Sequence, residues 1–499
     1  MIDDGDLIAG LRRFVPEAMR VTGTPGLNVA LARDGERIWE AAFGFADLAA
    51  GSPMRTDTVV CAGSMSKTYV AVAALQLADA GLLDLDTPVE HHVPDLPVLN
   101  PRGARPVTAY DLLTYRSGLA TDTGDCLGRS PPPLGDWIRD ELARDRQPEY
   151  ANGRSRWTAS VGERFQYSSL GVAIVGLLVE RLNPDRLTFS AYVRRHIIDA
   201  LGLASTDLPR SFAASDVRAS VRARLATGYA RLGPMLVPVP LLHSGAYPAI
   251  TLLTTPADHV TLLETLRAGG APILSSQAVR LMCSAHVAIR RDVPGPEGHY
   301  GIGLQLKDLG EPTHSFGHGG THPFGWWSEA HAYPALGVSL AVCSNKRNVM
   351  GWYNPEAETA PGLVHAYVAK RLRGPERRDR GARRSWSWKA SYAIGVVMAE
   401  RIAGTLGVRS ALRRDAIDAM AAHARPLADG QAPWRWNAAA FRAGVEDMRE
   451  VEPTAAGIRS FLASGALRLD PAELDLIWLE LGRRGRRSVP IAFWADADG

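Results

Sequence analysis

Strand-like runs occupy both ends of the first 372 residues, and the stretch between them is mostly helical. Residues 27–32 and 37–45 flank Asp34-Gly35, a dipeptide that favours a two-residue hairpin. Strand patterns return at 301–306, 314–317 and 337–344. Between the two sets, apolar residues recur at helical spacing or in buried-helix runs at 71–77, 172–182, 192–203 and 254–267. A sheet built from both ends of one chain segment must hold the intervening helices to one side as a lobe. The expected class is α+β: an antiparallel sheet flanked by helices, with a helical lobe. Residues 7–19 read as an opening helix and 361–372 as a closing one, while 121–155 read as loop-rich and 204–250 as irregular.

With 499 residues the chain exceeds what that layout needs, so an appendage is expected. The expected organisation is a first domain at 1–373, an Arg-rich linker at 374–388 and a mainly helical C-terminal region at 389–499. That last region carries no recognisable motif. A net charge of +3 is too small to argue for nucleic acid or a membrane surface as partner, and residues 371–384 alone hold seven Arg against Glu376 and Asp379. The N-terminal Met1-Ile2-Asp3-Asp4-Gly5-Asp6 carries acids where a secretory signal needs a basic start. No apolar run reaches eighteen residues, and the four Cys are scattered with no C-x-x-C. A cytoplasmic protein with reduced thiols is the expectation, without metal or cofactor.

The chemistry centres on Ser64-Met65-Ser66-Lys67, where a buried helix begins. Three residues apart on a helix, Ser64 and Lys67 share a face. The chain has five Lys (67, 307, 346, 370 and 389) against 51 Arg, and none of the other four has a Ser three positions before it. An amine can lose its proton at accessible pH and a guanidinium cannot, so a base beside a hydroxyl requires Lys. Alone, the pattern would also fit a helix-capping Ser with a snorkelling Lys. Acyl transfer asks for more: a nucleophile, a base, a proton donor and an oxyanion hole. Ser64 at a helix start gains the favourable dipole end and supplies one backbone N–H. Tyr167 can relay a proton, His318 beside glycines can orient or polarise, and the Thr321 N–H can serve as second oxyanion donor.

Together these stretches resemble the serine β-lactamases, penicillin-binding proteins and esterases of the class C β-lactamase type, including family VIII esterases and transesterases. Ser64 to Lys67 is similar to the S-x-x-K motif, and Tyr167-Ser168-Ser169 to Y-x-N with Ser in place of Asn. His318-Gly319-Gly320 is similar to the K-T-G strand motif in its H-x-G form. Residues 112–119 resemble the L-L-T-H-T-S-G-L segment, 162–170 the P-G-x-x-F-x-Y-S-N approach, and 193–203 the helix closing on L-G-M. The resemblance implies catalytic roles for Ser64, Lys67, Tyr167 and His318. It also implies substrate-binding positions at Ser169, Gly319 and Gly320, with Trp326 and Trp327 as candidate walls of an acyl pocket.

Two departures bear on substrate. In the family the Asn and the K-T-G Lys help hold a β-lactam or peptide; here Ser169 and His318 stand instead. That favours an ester, thioester or small amide over a β-lactam or D,D-peptide. The implied partners are a small-molecule or peptidyl acyl donor, an amine or alcohol acceptor, and a carrier protein in a variant that releases or cyclises a bound peptide. His314, His318 and His322 lie among glycines that favour strand and turn, which disperses them as metal ligands. Neither a G-x-S-x-G elbow nor a G-x-x-x-x-G-K-[ST] loop occurs.

Overall fold

A computed structural model of the chain describes residues 3–96, 98–103, 105–120, 130–144, 156–232, 235–289, 298–307, 314–322, 325–348 and 359–373. The expected linker at 374–388 and helical region at 389–499 lie outside the described residues. The chain divides into two compact units, one of Met1–Arg290 with Glu297–His365 and the other of Arg291–Pro296 with Ala366–Gly499. Ser64, Lys67, Tyr167 and His318 all belong to the first unit.

After helix α1 (Asp4–Thr22) come strands β1 (Gly26–Arg33) and β2 (Glu36–Asp47). Asp34 (φ 50°) and Gly35 (φ 92°) join them, both in the left-handed region that a two-residue primed turn requires. Strands β3 (Ser52–Pro53) and β4 (Val60–Gly63) lead to helix α2 (Ser66–Asp79). Later strands are β5 (Gly228–Leu232), β6 (Met235–Val239), β7 (Leu252–Thr254), β8 (Val287–Ile289), β9 (Gly298–Tyr300) and β10 (Gln305–Lys307). Strands β11 (Ser315–His322), β12 (Trp326–Tyr333), β13 (Val338–Ser344) and β14 (Lys346–Asn348) complete the set. Nine of them form one antiparallel sheet in the order β3-β2-β1-β13-β12-β11-β10-β9-β8. Leu27 pairs with Ser344 and Arg33 with Val338, so the two ends of the unit meet mid-sheet as the layout requires.

The helix Pro256–Arg267 packs on the face made by β1, β12 and β13. Ala30, Ala32, Ala330, Ala332 and Ala341 join Val260, Leu263 and Leu266 in the core there. Small side chains let the helix sit close to the strands. Helix α2 is buried from Ser66 through Leu75 and again at Leu77, packed among the helices Ser169–Leu182, Tyr247–Ile250 and Phe189–Val193. No helix among the described residues is long and apolar enough to cross a membrane.

Three local expectations need correction. Residues 204–250 are not wholly irregular, because β5 and β6 form a hairpin within them. The loop-rich stretch contains the helix Leu134–Arg144. Residues 301–306 are not one strand: a bend at 301–304 separates β9 from β10, with Gly303 at φ 66°. An added Cβ at Gly303 would lie 2.4 Å from Ala71 Cβ and 2.8 Å from Lys67 O. The chain turns there because it rests directly on α2.

Candidate active site

Ser64 sits in the tight turn between β4 and α2, half-buried, two residues before the helix begins. Ser66 anchors that turn: its Oγ donates to Gly63 O at 2.6 Å and accepts from Leu252 N at 3.0 Å. Gly63 takes φ 53°, and a Cβ on it would fall 2.2 Å from Thr321 O and 2.7 Å from Thr321 N. A Cβ on Gly320 would fall 1.8 Å from Ala62 O and 2.9 Å from Met65 N. The Ser64 turn and β11 therefore meet backbone to backbone, an approach only glycine permits on each side. Gly320 and Thr321 thereby border Ser64.

Lys67 is 1% exposed, and its Nζ donates to Ser64 Oγ at 3.0 Å and to Ala249 O at 3.0 Å. Burial pushes this amine down to about 7. The Nζ also lies 4.9 Å from the centre of the Tyr167 ring. The Tyr167 hydroxyl is hydrogen-bonded to those of Ser64 and Tyr115. Burial keeps the phenol protonated well above its ordinary range, while those two hydrogen bonds pull the other way. Local structure fixes the ring's position. Gln166 N donates to Tyr115 O at 2.7 Å, and Ser168 caps the helix Ser169–Leu182 by accepting from Gly171 N at 3.0 Å. Ser169 is the first residue of that helix and is half-buried.

His318 comes from β11 on the same side, 1% exposed, its ring 6.4 Å from that of Tyr167. Its Nδ1 is held by Gly319 O and its Nε2 by the Tyr300 hydroxyl. Burial, then the charge of Lys67, pushes the imidazole down to about 3, so it is neutral at pH 7. Ser64, Lys67 and Tyr167 are thus in direct contact, and His318 joins them through two further tyrosines. Those two, Tyr115 and Tyr300, were not singled out from sequence. The visible signal was Tyr115 standing where the resembled segment has His.

The remaining candidates spread over both faces of the sheet. Gly319 pairs with Glu329, and a Cβ on it would meet Glu329 Oε1 at 2.6 Å on the face away from His318. A buried carboxylate therefore explains glycine at this motif position. Trp326 and Trp327 point to opposite faces of β12. Trp326 packs edge-on against His322, ring centres 5.3 Å apart, in a separate core cluster with Met54 and Val59. Trp327 shares the Glu329 face and donates to Glu329 Oε1 at 3.4 Å. Strand alternation thus turns Trp327 away from His318, and its placement as a pocket wall is corrected to one of strand packing. Among the described residues no three or more His, Cys, Asp or Glu side chains gather as a metal site.

An antiparallel sheet and helical lobe, holding a serine against a desolvated amine, define a serine hydrolase-type β-lactamase fold. A sequence profile of the Beta-lactamase family matches residues 11–385. Esterase EstB of Burkholderia gladioli is 28% identical over 376 residues, spanning 69% of this chain and 92% of its own. Penicillin-binding protein 4 of Amycolatopsis lactamdurans is 31% identical over 342 residues, spanning 64% and 81% respectively. The octameric penicillin-binding protein homologue from Pyrococcus abyssi shares the fold, with a TM-score of 0.58 at 23% identity over 73% of this chain and 77% of that one. The chain belongs to the β-lactamase family.

Proposed function

We propose that the protein is a serine acyl-enzyme hydrolase or acyltransferase acting on an ester, thioester or small amide, with a cytoplasmic role in the biosynthesis of a small molecule or peptide. One observation carries the reading: a buried amine, lowered to about 7, lies 3.0 Å from the hydroxyl of a half-buried serine. Neutral Lys67, with Tyr167, takes the Ser64 proton as Ser64 attacks the acyl carbonyl. The N–H groups of Ser64 and Thr321 receive the developing oxyanion. Tyr167, still protonated, gives its proton to the leaving group. Water or an amine or alcohol acceptor then enters by the reverse path, with His318 shaping the tyrosine side of the pocket.

Ser169 and His318 replace the side chains with which relatives hold a β-lactam or peptide carboxylate, and this supports an ester-type donor. Esterase EstB, matched over 92% of its length, adds weight to the same side. Penicillin-binding protein 4 keeps a β-lactamase, D,D-peptidase or D-aminopeptidase-type amidase as the second reading. The donor would be a small molecule or a peptidyl group, presented free or on a carrier protein.

Incubation with matched esters, thioesters, amides and a penicillin, followed by intact-mass analysis, tests both readings. The expected result is an acyl adduct on Ser64 from esters or thioesters, with part of it passing to an added amine or alcohol. Adducts from penicillin and D-amino acid amides alone would favour the second reading. Acyl groups that always go to water would remove transfer.

A further inference from the structure

Tyr115 carries a cost that packing alone does not explain. It is 1% exposed and takes φ 57°, in the left-handed region that a bulky non-glycine residue rarely adopts. Its ring lies 4.7 Å from that of Tyr167, tilted by 31°, and 4.7 Å from that of Tyr300, edge-on at 83°. A hydrogen bond joins its hydroxyl to that of Tyr167, and the Tyr300 hydroxyl approaches it as donor at 3.4 Å.

Counting protons shows what Tyr115 can do there. A carbonyl oxygen only accepts, so the contact to Gly319 O places the His318 proton on Nδ1. The bare Nε2 must then accept, and the single proton of Tyr300 is committed to it at 2.5 Å. The Tyr300 hydroxyl approaches Tyr115 only as donor, at a long 3.4 Å beside the usual hydroxyl separation of about 2.7–2.8 Å, so Tyr115 does not give its proton there. The Tyr115 proton is thereby left to Tyr167.

We propose that Tyr115 is a positioning residue whose hydroxyl donates to the Tyr167 oxygen and stabilises the charge that builds there as Tyr167 passes its own proton to the leaving group. The Tyr167 O–H bond breaks, the leaving group gains that proton, and Tyr115 keeps its own throughout. Tyr167 recovers a proton when water or the acceptor gives one up in the second half-reaction. Burial makes negative charge on Tyr167 costly, so a donor at this point acts on the barrier.

The inference rests on Ser64 forming an acyl-enzyme, and the experiment separates the two. Wild type and Tyr115→Phe are compared on ethyl butanoate and 4-nitrophenyl butanoate, which give the same acyl-enzyme but differ in how much the leaving group needs a proton. The ratio of kcat/KM for the ethyl ester to that for the nitrophenyl ester is expected to fall about tenfold or more in the variant. A merely structural loss lowers both rates together. Tyr300→Phe removes a hydroxyl from the same cluster and is expected to leave the ratio near that of wild type. Wild type that acylates on neither ester refutes the nucleophile reading itself. Wild type that acylates, with an unchanged ratio in Tyr115→Phe, refutes only the role of Tyr115. Should Tyr115→Phe not fold, 3-fluorotyrosine at position 115, a stronger donor, is expected to raise the ratio, and an unchanged ratio overturns the proposal.

Discussion

Lys67→Arg is expected to be as inactive as Lys67→Ala, each lowering kcat/KM by about 10²- to 10⁴-fold. The arginine keeps the positive charge beside Ser64 and loses the base, because a guanidinium does not deprotonate in proteins. The wild-type amine lies 3.0 Å from Ser64 Oγ and is lowered to about 7 by burial. Below that value Lys67 is mainly the ammonium and cannot accept a proton; above it the free amine dominates. Activity is therefore expected to rise as pH increases through about 7, and this limb to be missing from the residual activity of both variants. A pH series of kcat/KM checks it. Activity in Lys67→Arg within tenfold of wild type would remove Lys67 from the base role.

Gly320→Ala is expected to cost about 10²-fold in kcat/KM, with a loss of stability of about 1–3 kcal/mol. The added methyl would lie 1.8 Å from Ala62 O, closer than any non-bonded contact, and both partners are backbone. Strand β11 must then withdraw from the Ser64 turn, carrying the Thr321 N–H out of register with an oxyanion on the Ser64 adduct. Gly298→Ala, in the same sheet, makes only ordinary contacts at 3.6 Å and serves as control. Thermal denaturation with steady-state kinetics distinguishes the two: Gly298→Ala should keep its activity. An active Gly320→Ala would show that Thr321 does not need this close approach.

Much of this was legible in the sequence because the signals were local. Asp34-Gly35 specified its hairpin, the apolar run after Lys67 gave a helix with no polar face, and strands at both ends of the unit implied a sheet closed between them. The β5–β6 hairpin was harder to read because Pro238 lies within β6. Proline suits an edge strand, and β6 is the edge of its three-stranded sheet with Met235 and Val237 exposed. The bend at 301–304 comes from packing on α2, which no local pattern records.

The site divides in the same way. Ser64 and Lys67 became candidates through helical spacing and the scarcity of lysine. Tyr167, His318 and Thr321 became candidates through motif order. Tyr115 and Tyr300 meet across 185 residues, and only the fold brings their rings together. Trp327 was misread because adjacent tryptophans on a strand cannot share a face.

The most direct test of the account is whether Ser64 is a nucleophile. Full-length protein treated with a fluorophosphonate probe, then digested and mapped by mass spectrometry, is expected to carry one label, on Ser64, with none on Ser64→Ala. A wild-type protein that never labels, or that labels equally well after Ser64→Ala, would contradict it.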